Sequence, residues 1–198
     1  MEQAPIVVVV VEWAKGQRST SYNANTAHPS PRMHIRAEHP QDVAALHTLT
    51  RQAFAEAPHS SQTEAFILDA LRAAGALSVS LVAEENGELV GHVALSPVQL
   101  DDGSPDWYGL GPISVAPGRQ GQGIGSALMH AAIDALRARG AAGCVLLGDP
   151  GYYQRFGFRA DPRLRLPGVP AEYFQTLALR GPVPDADVRY HDGFNAVG

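Results

Sequence analysis

The sequence is short of cysteine, of lysine and of clustered positive charge. Cys144 is its one cysteine, so an intramolecular disulfide framework is excluded. Lys15 is its one lysine, no basic run occurs, and the net charge is −5. Nucleic acid is therefore not an expected partner, because its binding needs a basic face. The eight histidines show neither helical pairing nor cysteine pairing, so we expect no metal site.

A long hydrophobic run is also lacking. The apolar run from Ile6 to Val11 is much shorter than the ~20 residues of a membrane span, and no positive charge precedes it as in a secretory signal. We expect no membrane partner and a cytoplasmic location. Residues 1–32 are predicted to be a flexible N-terminal extension, with an added edge strand as the alternative, and residues 33–198 a single domain.

Hydrophobic periodicity divides residues 33–198 into strands and helices. Apolar runs predict strands at residues 33–37, 77–84, 89–100, 107–116, 144–147, 173–180 and, as a seventh, 188–190. Helices are predicted from Pro40, from a capping box of Ser61 with Glu64, and after a glycine-rich loop. Asn86-Gly87 predicts a type I′ hairpin. These elements indicate an α/β fold with a mixed, mostly antiparallel sheet of six to seven strands flanked by helices.

Residues 110–128, LGPISVAPGRQGQGIGSAL, are the most informative stretch. An apolar run leads into a glycine-rich turn and then into an amphipathic helix. The first N–H groups of a helix have no intrahelical partner and carry partial positive charge. Glycine lets a phosphate approach such amides closely. The stretch therefore predicts a site for a phosphate-bearing ligand at residues 120–126.

Three glycine motifs compete for that loop. A Walker A loop needs Gly-Lys-Ser/Thr, but Ile124 follows Gly123. A dinucleotide turn, G-x-G-x-x-G/A, is met only at Gly121 and Gly123, and too little chain follows for its repeated strands and helices. The pattern Q/R-x-x-G-x-G/A is met in full by Gln120, Gly123 and Gly125.

The third pattern resembles the pyrophosphate loop of the GNAT superfamily of acyl-CoA-dependent N-acetyltransferases. Residues 152–158, YYQRFGF, resemble the family's Tyr-x-x-x-Gly-Phe element, and residues 148–158 are similar to a bacterial branch of predicted acetyltransferases. The resemblance implies a GNAT-like fold and transfer of an acetyl group from acetyl-CoA to a small-molecule or peptide amine by direct attack. A homodimer stays open. The alternative is a non-catalytic acyl-CoA-binding sensor or partner module.

The resemblance also implies particular site residues. Tyr153, four residues before Gly157, takes the position of the general acid for the departing thiolate. An oxyanion donor is implied near Ser114 or Val115, where the family has a β-bulge. The implied CoA contacts are Ile113, Ser114, Val115, Arg119, Gln120, Gly121, Gln122, Gly123, Ile124, Gly125 and Ser126.

The general base is poorly specified. Many members of the family carry a glutamate at the position of Gly111. His92 is the candidate base, because histidine titrates near neutral pH, with a buried structural histidine as the alternative. By resemblance His59 and Glu64 border the acceptor site, with a solvated loop residue and a helix cap as the alternatives. Cys144 lies in an apolar run and is not expected to be a nucleophile.

Overall fold

The computed structural model describes residues 33–57 and 60–197. The predicted extension at residues 1–32 and the candidate contact His59 lie outside the described residues. No helix within the described ranges is long and apolar enough to cross a membrane.

Four α-helices and nine strands occur in the described residues. The helices are α1 (Val43–Phe54), α2 (Glu64–Ala73), α3 (Ile124–Ala138) and α4 (Pro150–Tyr153). The strands are β1 (His34–Ala37), β2 (Val79–Glu85), β3 (Glu88–Pro97), β4 (Gln99–Leu100), β5 (Trp107–Val115), β6 (Gly143–Leu147), β7 (Leu164–Arg165), β8 (Phe174–Ala178) and β9 (Ala186–Arg189). A 3-10 turn, Pro40–Asp42, precedes α1, so the helix predicted from Pro40 has a tighter first turn.

The central sheet has six strands in the order β1-β2-β3-β5-β6-β8. Every neighbouring pair is antiparallel except β5 with β6, which α3 connects as a crossover helix. Asn86 and Gly87 join β2 to β3 with φ angles of +53° and +83°, as a type I′ turn requires. The mixed, mostly antiparallel sheet predicted from the sequence is confirmed.

Helices cover both faces of this sheet. On one face α3 and α4 pack against side chains such as Val93 and Leu95 of β3. On the other face α1 and α2 pack Leu46 and Leu68 against Ala94, which points the opposite way from its neighbours in β3. The buried stripe of α3 is the one that its spacing predicts, comprising Ile124, Leu128, Met129, Ala132, Ile133 and Leu136.

A second, smaller sheet corrects part of the strand prediction. Its order is β4-β9-β7. The single strand predicted at residues 89–100 is two strands, because β3 ends at Pro97 and β4 turns away to pair with β9. The predicted seventh strand therefore belongs to the small sheet, and β7 in the proline-rich segment was missed because it has only two residues.

Strands β5 and β6 separate along their length. They pair only from Trp107 opposite Gly143 to Gly109 opposite Val145, although β5 continues to Val115 and β6 to Leu147. The indole of Trp107 covers Gly143 so closely that a Cβ there would lie 2.3 Å from the ring. The result is a wedge-shaped gap in the middle of the sheet, closed at the Trp107 end and open towards the glycine-rich loop.

Candidate functional site

The glycine-rich loop presents the uncapped start of α3. Gly123 occupies the N-cap position with a φ of +85°, which favours glycine, and it offers no side chain to cap the helix. The amides of the first turn, Ile124 to Ser126, therefore stay available for an anion. A Cβ built on Gly121 or Gly123 would meet no other atom within 4 Å, so the loop is open on its outer side.

The edge of β5 next to the gap continues this row of donors. The N–H of Ala116 donates to the carbonyl of Val90 in β3 at 3.0 Å. Because successive amides of a strand point to opposite sides, the amide of Ser114 also faces β3, while those of Ile113 and Val115 face the gap. The carbonyl of Val115 accordingly accepts a 3.2 Å hydrogen bond from the side chain of Gln120 in the loop.

Arg119, a predicted phosphate contact, is held by a carboxylate. Its guanidinium forms an ion pair with Glu85 at the end of β2, and its Nε donates to Gln122 Oε1 at 3.3 Å. The side chain of Glu85 is only 10% exposed, so this pair is screened less than a surface pair. Arg119 thus fastens the loop to the β2–β3 hairpin, a contact between distant parts of the chain that the sequence does not reveal.

The bulge in β5 lies earlier than expected. Val93 opposes Ile113 while Leu95 opposes Leu110, so β5 has one residue more than β3 between these pairs. The extra residue falls at Gly111-Pro112 and not at Ser114 or Val115. Gly111 has a φ of +149°, a conformation in which a side chain is strained. This backbone explains why no glutamate occupies the position.

Tyr153 is a fully buried phenol beside the end of β6. Its exposure is 1%, and its ring lies where a Cβ on Gly148 would be, 2.1 Å from the nearest ring atom. Asp149 caps α4 by accepting a 2.8 Å hydrogen bond from the N–H of Gly151. Burial, with smaller contributions from Tyr152 and Asp149, raises the pKa of Tyr153 above that of an ordinary phenol. The hydroxyl therefore keeps its proton at neutral pH.

Tyr152, the first residue of the tyrosine element, reaches the loop itself. Its hydroxyl lies 3.2 Å from the position of a Cβ on Gly125, and a side-chain hydrogen bond joins it to Ser126. The guanidinium carbon of Arg155 stacks 4.5 Å from the centre of its ring. A side chain at Gly125 would therefore crowd the hydroxyl of Tyr152.

His92, the candidate base, is fully buried on the face covered by α1 and α2. Its Nε2 lies 2.8 Å from Ser80 Oγ and 3.6 Å from Glu38 Oε2. Burial lowers the pKa of His92, and the nearby carboxylate of Glu38 partly opposes that shift. Ser114 is directly opposite His92 in β5, and its hydroxyl lies 3.5 Å from that of Thr50 in α1.

A cavity of about 590 Å³ opens at the end of α1 and the start of α2. Its lining comprises Thr48, Arg51, Gln52, Phe54, Ala55, Gln62, Glu64, Ala65 and Phe66. The predicted capping box is wrong, since Thr63 is the N-cap residue and Glu64 the first residue of α2. Glu64 is 1% exposed; its Oε1 accepts a 2.8 Å hydrogen bond from Ser60, and its Oε2 has no partner among the described residues.

Two further predictions concern chemistry away from the loop. The thiol of Cys144 is fully buried in β6, and burial raises its pKa, which makes it a poor nucleophile. Among the described residues no group of three or more histidine, cysteine, aspartate or glutamate side chains is placed to hold a metal ion.

An uncapped helix start that continues into strand amides with no strand partner among the described residues suits an extended, phosphate-bearing ligand held between two splayed strands. Residues 43–158 match the Acetyltransferase (GNAT) family. The chain belongs to that family, as its loop and its tyrosine element predict.

Individual proteins of known sequence and structure are similar over most of the chain. The uncharacterized N-acetyltransferase YhbS of Escherichia coli K12 is 36% identical over 171 residues, which cover 82% of this chain and 99% of YhbS. A GNAT family acetyltransferase from Brucella melitensis, solved in complex with acetyl-CoA, is 51% identical with a TM-score of 0.74, covering 82% of this chain and 98% of its own. YhbS, solved in complex with CoA, gives a TM-score of 0.78 at 35% identity, covering 88% and 98%.

Replacing Gly123 with glutamate tests the loop. The new carboxylate places a negative charge where the phosphates are expected, and like-charge contacts cost several kcal/mol. We expect Gly123→Glu to weaken acetyl-CoA binding by about 100-fold or more in a calorimetric titration. Gly87→Glu is the matched control, because Gly87 has a similar φ of +83° and equally open surroundings in the β2–β3 hairpin. Equal affinity of the two variants would show that the ligand does not use the start of α3.

Proposed function

We propose that this chain is an N-acetyltransferase that moves the acetyl group of acetyl-CoA to an amine by direct attack. The observation that carries the proposal is the continuous row of donors from Ile113 and Val115 to the first turn of α3. Such a row suits a ligand with a pyrophosphate at one end and an amide-containing chain at the other, as in CoA. The acetyl-CoA complex of the Brucella protein, at 51% identity, supports the choice of ligand.

The chain's residues fit the work that the reaction needs. The amides of residues 124–126 would hold the pyrophosphate of CoA. The gap-facing edge of β5 would pair with the amide-containing part of CoA that leads to the thioester. Acetyl-CoA supplies the acetyl group in an activated, thioester-bound form. An N–H of Ile113 or Val115 stabilises the negative charge that develops on the carbonyl oxygen.

Tyr153 donates the proton that the departing thiolate takes up. Its phenol is neutral at the pH of the reaction, so it can approach sulfur as a donor without burying a charge. Cys144 is not needed as an acyl carrier, since a buried thiol of raised pKa is a poor nucleophile. The amine therefore attacks the thioester directly.

The cavity beside Glu64 indicates the chemical class of the acceptor. A buried carboxylate oxygen without a partner is costly, and a cation is the group that relieves that cost best. Helix α1 borders both the cavity and β5, because Thr50 contacts Ser114 and Phe54, one helical turn later, lines the cavity. We infer an acceptor that carries a positive charge in addition to the reacting amine. The exposed Arg51, which also lines the cavity, disfavours a bulky cation on its side.

A non-catalytic acyl-CoA sensor is the second candidate. The bulge at Gly111 favours it, because that position lacks the carboxylate that many acetyltransferases of this family use as a base. The two functions share the loop and the gap, so ligand binding does not separate them. Turnover does.

Replacing Tyr153 with phenylalanine separates an enzyme from a sensor. Loss of a proton donor typically lowers the rate by about 100-fold or more, so Tyr153→Phe should lower kcat by about that factor and leave acetyl-CoA affinity unchanged. Release of free CoA thiol measures the rate, and calorimetry measures the affinity. Tyr173→Phe, at a tyrosine that is 43% exposed, is the control and should behave as the wild type. Full activity of Tyr153→Phe would show that Tyr153 is not the proton donor.

The acceptor class can be tested with three amines of similar length. Cadaverine keeps a second ammonium group, hexylamine lacks it, and 6-aminohexanoate carries a carboxylate instead. We expect cadaverine to be acetylated best, and Glu64→Gln to lower its kcat/KM by about 10-fold or more, since a charged hydrogen bond contributes about 1.5–3 kcal/mol. Hexylamine should be unaffected by the change, and Glu56→Gln, at an exposed carboxylate nearby, is the control. A preference for 6-aminohexanoate would contradict the assignment and point to Arg51.

A further inference from the structure

A series of contacts between charged and polar side chains leads from the surface to His92. His47 Nδ1 lies 2.6 Å from Asp69, Asp69 pairs with Arg72 at 2.8 Å, and Arg72 Nε donates to Glu38 Oε1 at 2.7 Å. The side-chain exposure falls from 41% at Asp69 to 22% at Arg72, 10% at Glu38 and 0% at His92. This series of side-chain contacts therefore ends at the fully buried imidazole of His92.

The contacts at this inner end determine which nitrogen of His92 carries its proton. The hydroxyl of Ser80 donates its hydrogen to Glu38 Oε2. Ser80 Oγ lies 2.8 Å from His92 Nε2. Because this hydroxyl already donates its hydrogen to Glu38, its oxygen accepts a hydrogen bond from His92, so Nε2 must be the donor. Glu38 Oε2, 3.6 Å from Nε2, adds a negative charge on the same side. A neutral His92 is therefore the Nε2–H tautomer.

That tautomer leaves a lone pair on the opposite nitrogen. Nδ1 of His92 is buried and has no hydrogen-bond partner among the described residues. A buried nitrogen without a donor is costly unless a ligand or a transferred proton occupies it. Its ring lies on the same sheet face as Ser114, which directly opposes it, and Ser114 is flanked by Ile113 and Val115, whose amides face the gap.

We propose that Glu38 and Ser80 are positioning residues that hold His92 as the Nε2–H tautomer, so that Nδ1 accepts the proton released by the attacking amine. This inference rests on the proposed function and supplies the base that Gly111 does not provide. In the step, the acceptor nitrogen bonds to the acetyl carbon, the carbon–sulfur bond breaks, and its electron pair leaves on sulfur. The nitrogen's proton goes to Nδ1, Tyr153 supplies the proton taken up by the thiolate, and both groups regain their resting state from solvent.

Glu38 has a second task, which is to stabilise the imidazolium that forms. Burial alone would raise the pKa of Glu38, but hydrogen bonds from His92, Arg72 and Ser80 outweigh it and lower the pKa to about 2. Glu38 is therefore charged throughout the working pH range and favours the protonated ring. The charged groups that act on His92 are Glu38 and Arg72, while β5 and α1 present the uncharged Ser114 and Thr50 on that side.

The test combines a pH profile with the tautomer of His92. The substrates are acetyl-CoA and whichever of cadaverine, hexylamine and 6-aminohexanoate is acetylated best. The kcat/KM of the wild type should decrease as the pH drops below the pKa of His92. Glu38→Gln should lower the plateau of kcat/KM by about 10-fold or more and move the acidic limb to lower pH, because the ring loses the charge that favours its protonation. Nitrogen-15 NMR of the imidazoles, with His92→Gln for assignment, should show Nε2–H in the wild type.

Two further variants separate positioning from folding. Ser80→Ala should lower the plateau as Glu38→Gln does, whereas Ser80→Thr retains the hydroxyl and should restore most of the rate. Asp42→Asn is the control, because Asp42 is a buried carboxylate paired with Arg36 at 2.6 Å outside this chain of contacts. It should cost stability without moving the pH profile.

The failures are distinguishable. An active wild type whose pH profile is unchanged in Glu38→Gln, or whose His92 is the Nδ1–H tautomer, would overturn this inference and leave the proposed function in place. A wild type that releases no thiol with any of the three amines would overturn the proposed function, and this inference with it.

Discussion

Strands β5 and β6 share backbone hydrogen bonds over only three residue pairs, and the site depends on where that pairing stops. Trp107 lies against Gly143 at the paired end, so the strands are fixed there and diverge towards the loop. The divergence leaves the amides of Ile113 and Val115 without strand partners among the described residues. A sheet normally satisfies such groups, so a gap lined by them is stable only where water or a ligand takes the place of a strand.

The two faces of the sheet at the gap carry different functional groups. On the side of α3 and α4, Tyr152 and Tyr153 pack against the loop and the end of β6, and burial keeps their phenols neutral. On the side of α1 and α2, the buried polar atoms include His92 Nδ1 and Glu64 Oε2, both without partners among the described residues. This arrangement suits the proposed direct transfer, in which a phosphate-bearing ligand enters from the loop and an amine approaches from the opposite face.

The sequence predicts local features better than contacts between distant residues. The loop, the hairpin at Asn86-Gly87 and the stripe of α3 follow from glycine conformation and helical spacing, which neighbouring residues alone decide. The end of β3 at Pro97 and the pairing of β4 with β9 depend on tertiary contacts, so the strand prediction failed there. The contact of Glu85 with Arg119 and that of Glu38 with His92 join residues far apart in sequence, and no spacing rule reveals them.

Amide hydrogen exchange with and without acetyl-CoA tests the central claim most directly. If the ligand lies along the edge of β5 and the start of α3, acetyl-CoA should slow exchange in peptides that span residues 110–128, and NAD should not. Protection confined to other parts of the chain, or equal protection by NAD, would contradict the account, because the gap and the loop would then serve a different ligand or none.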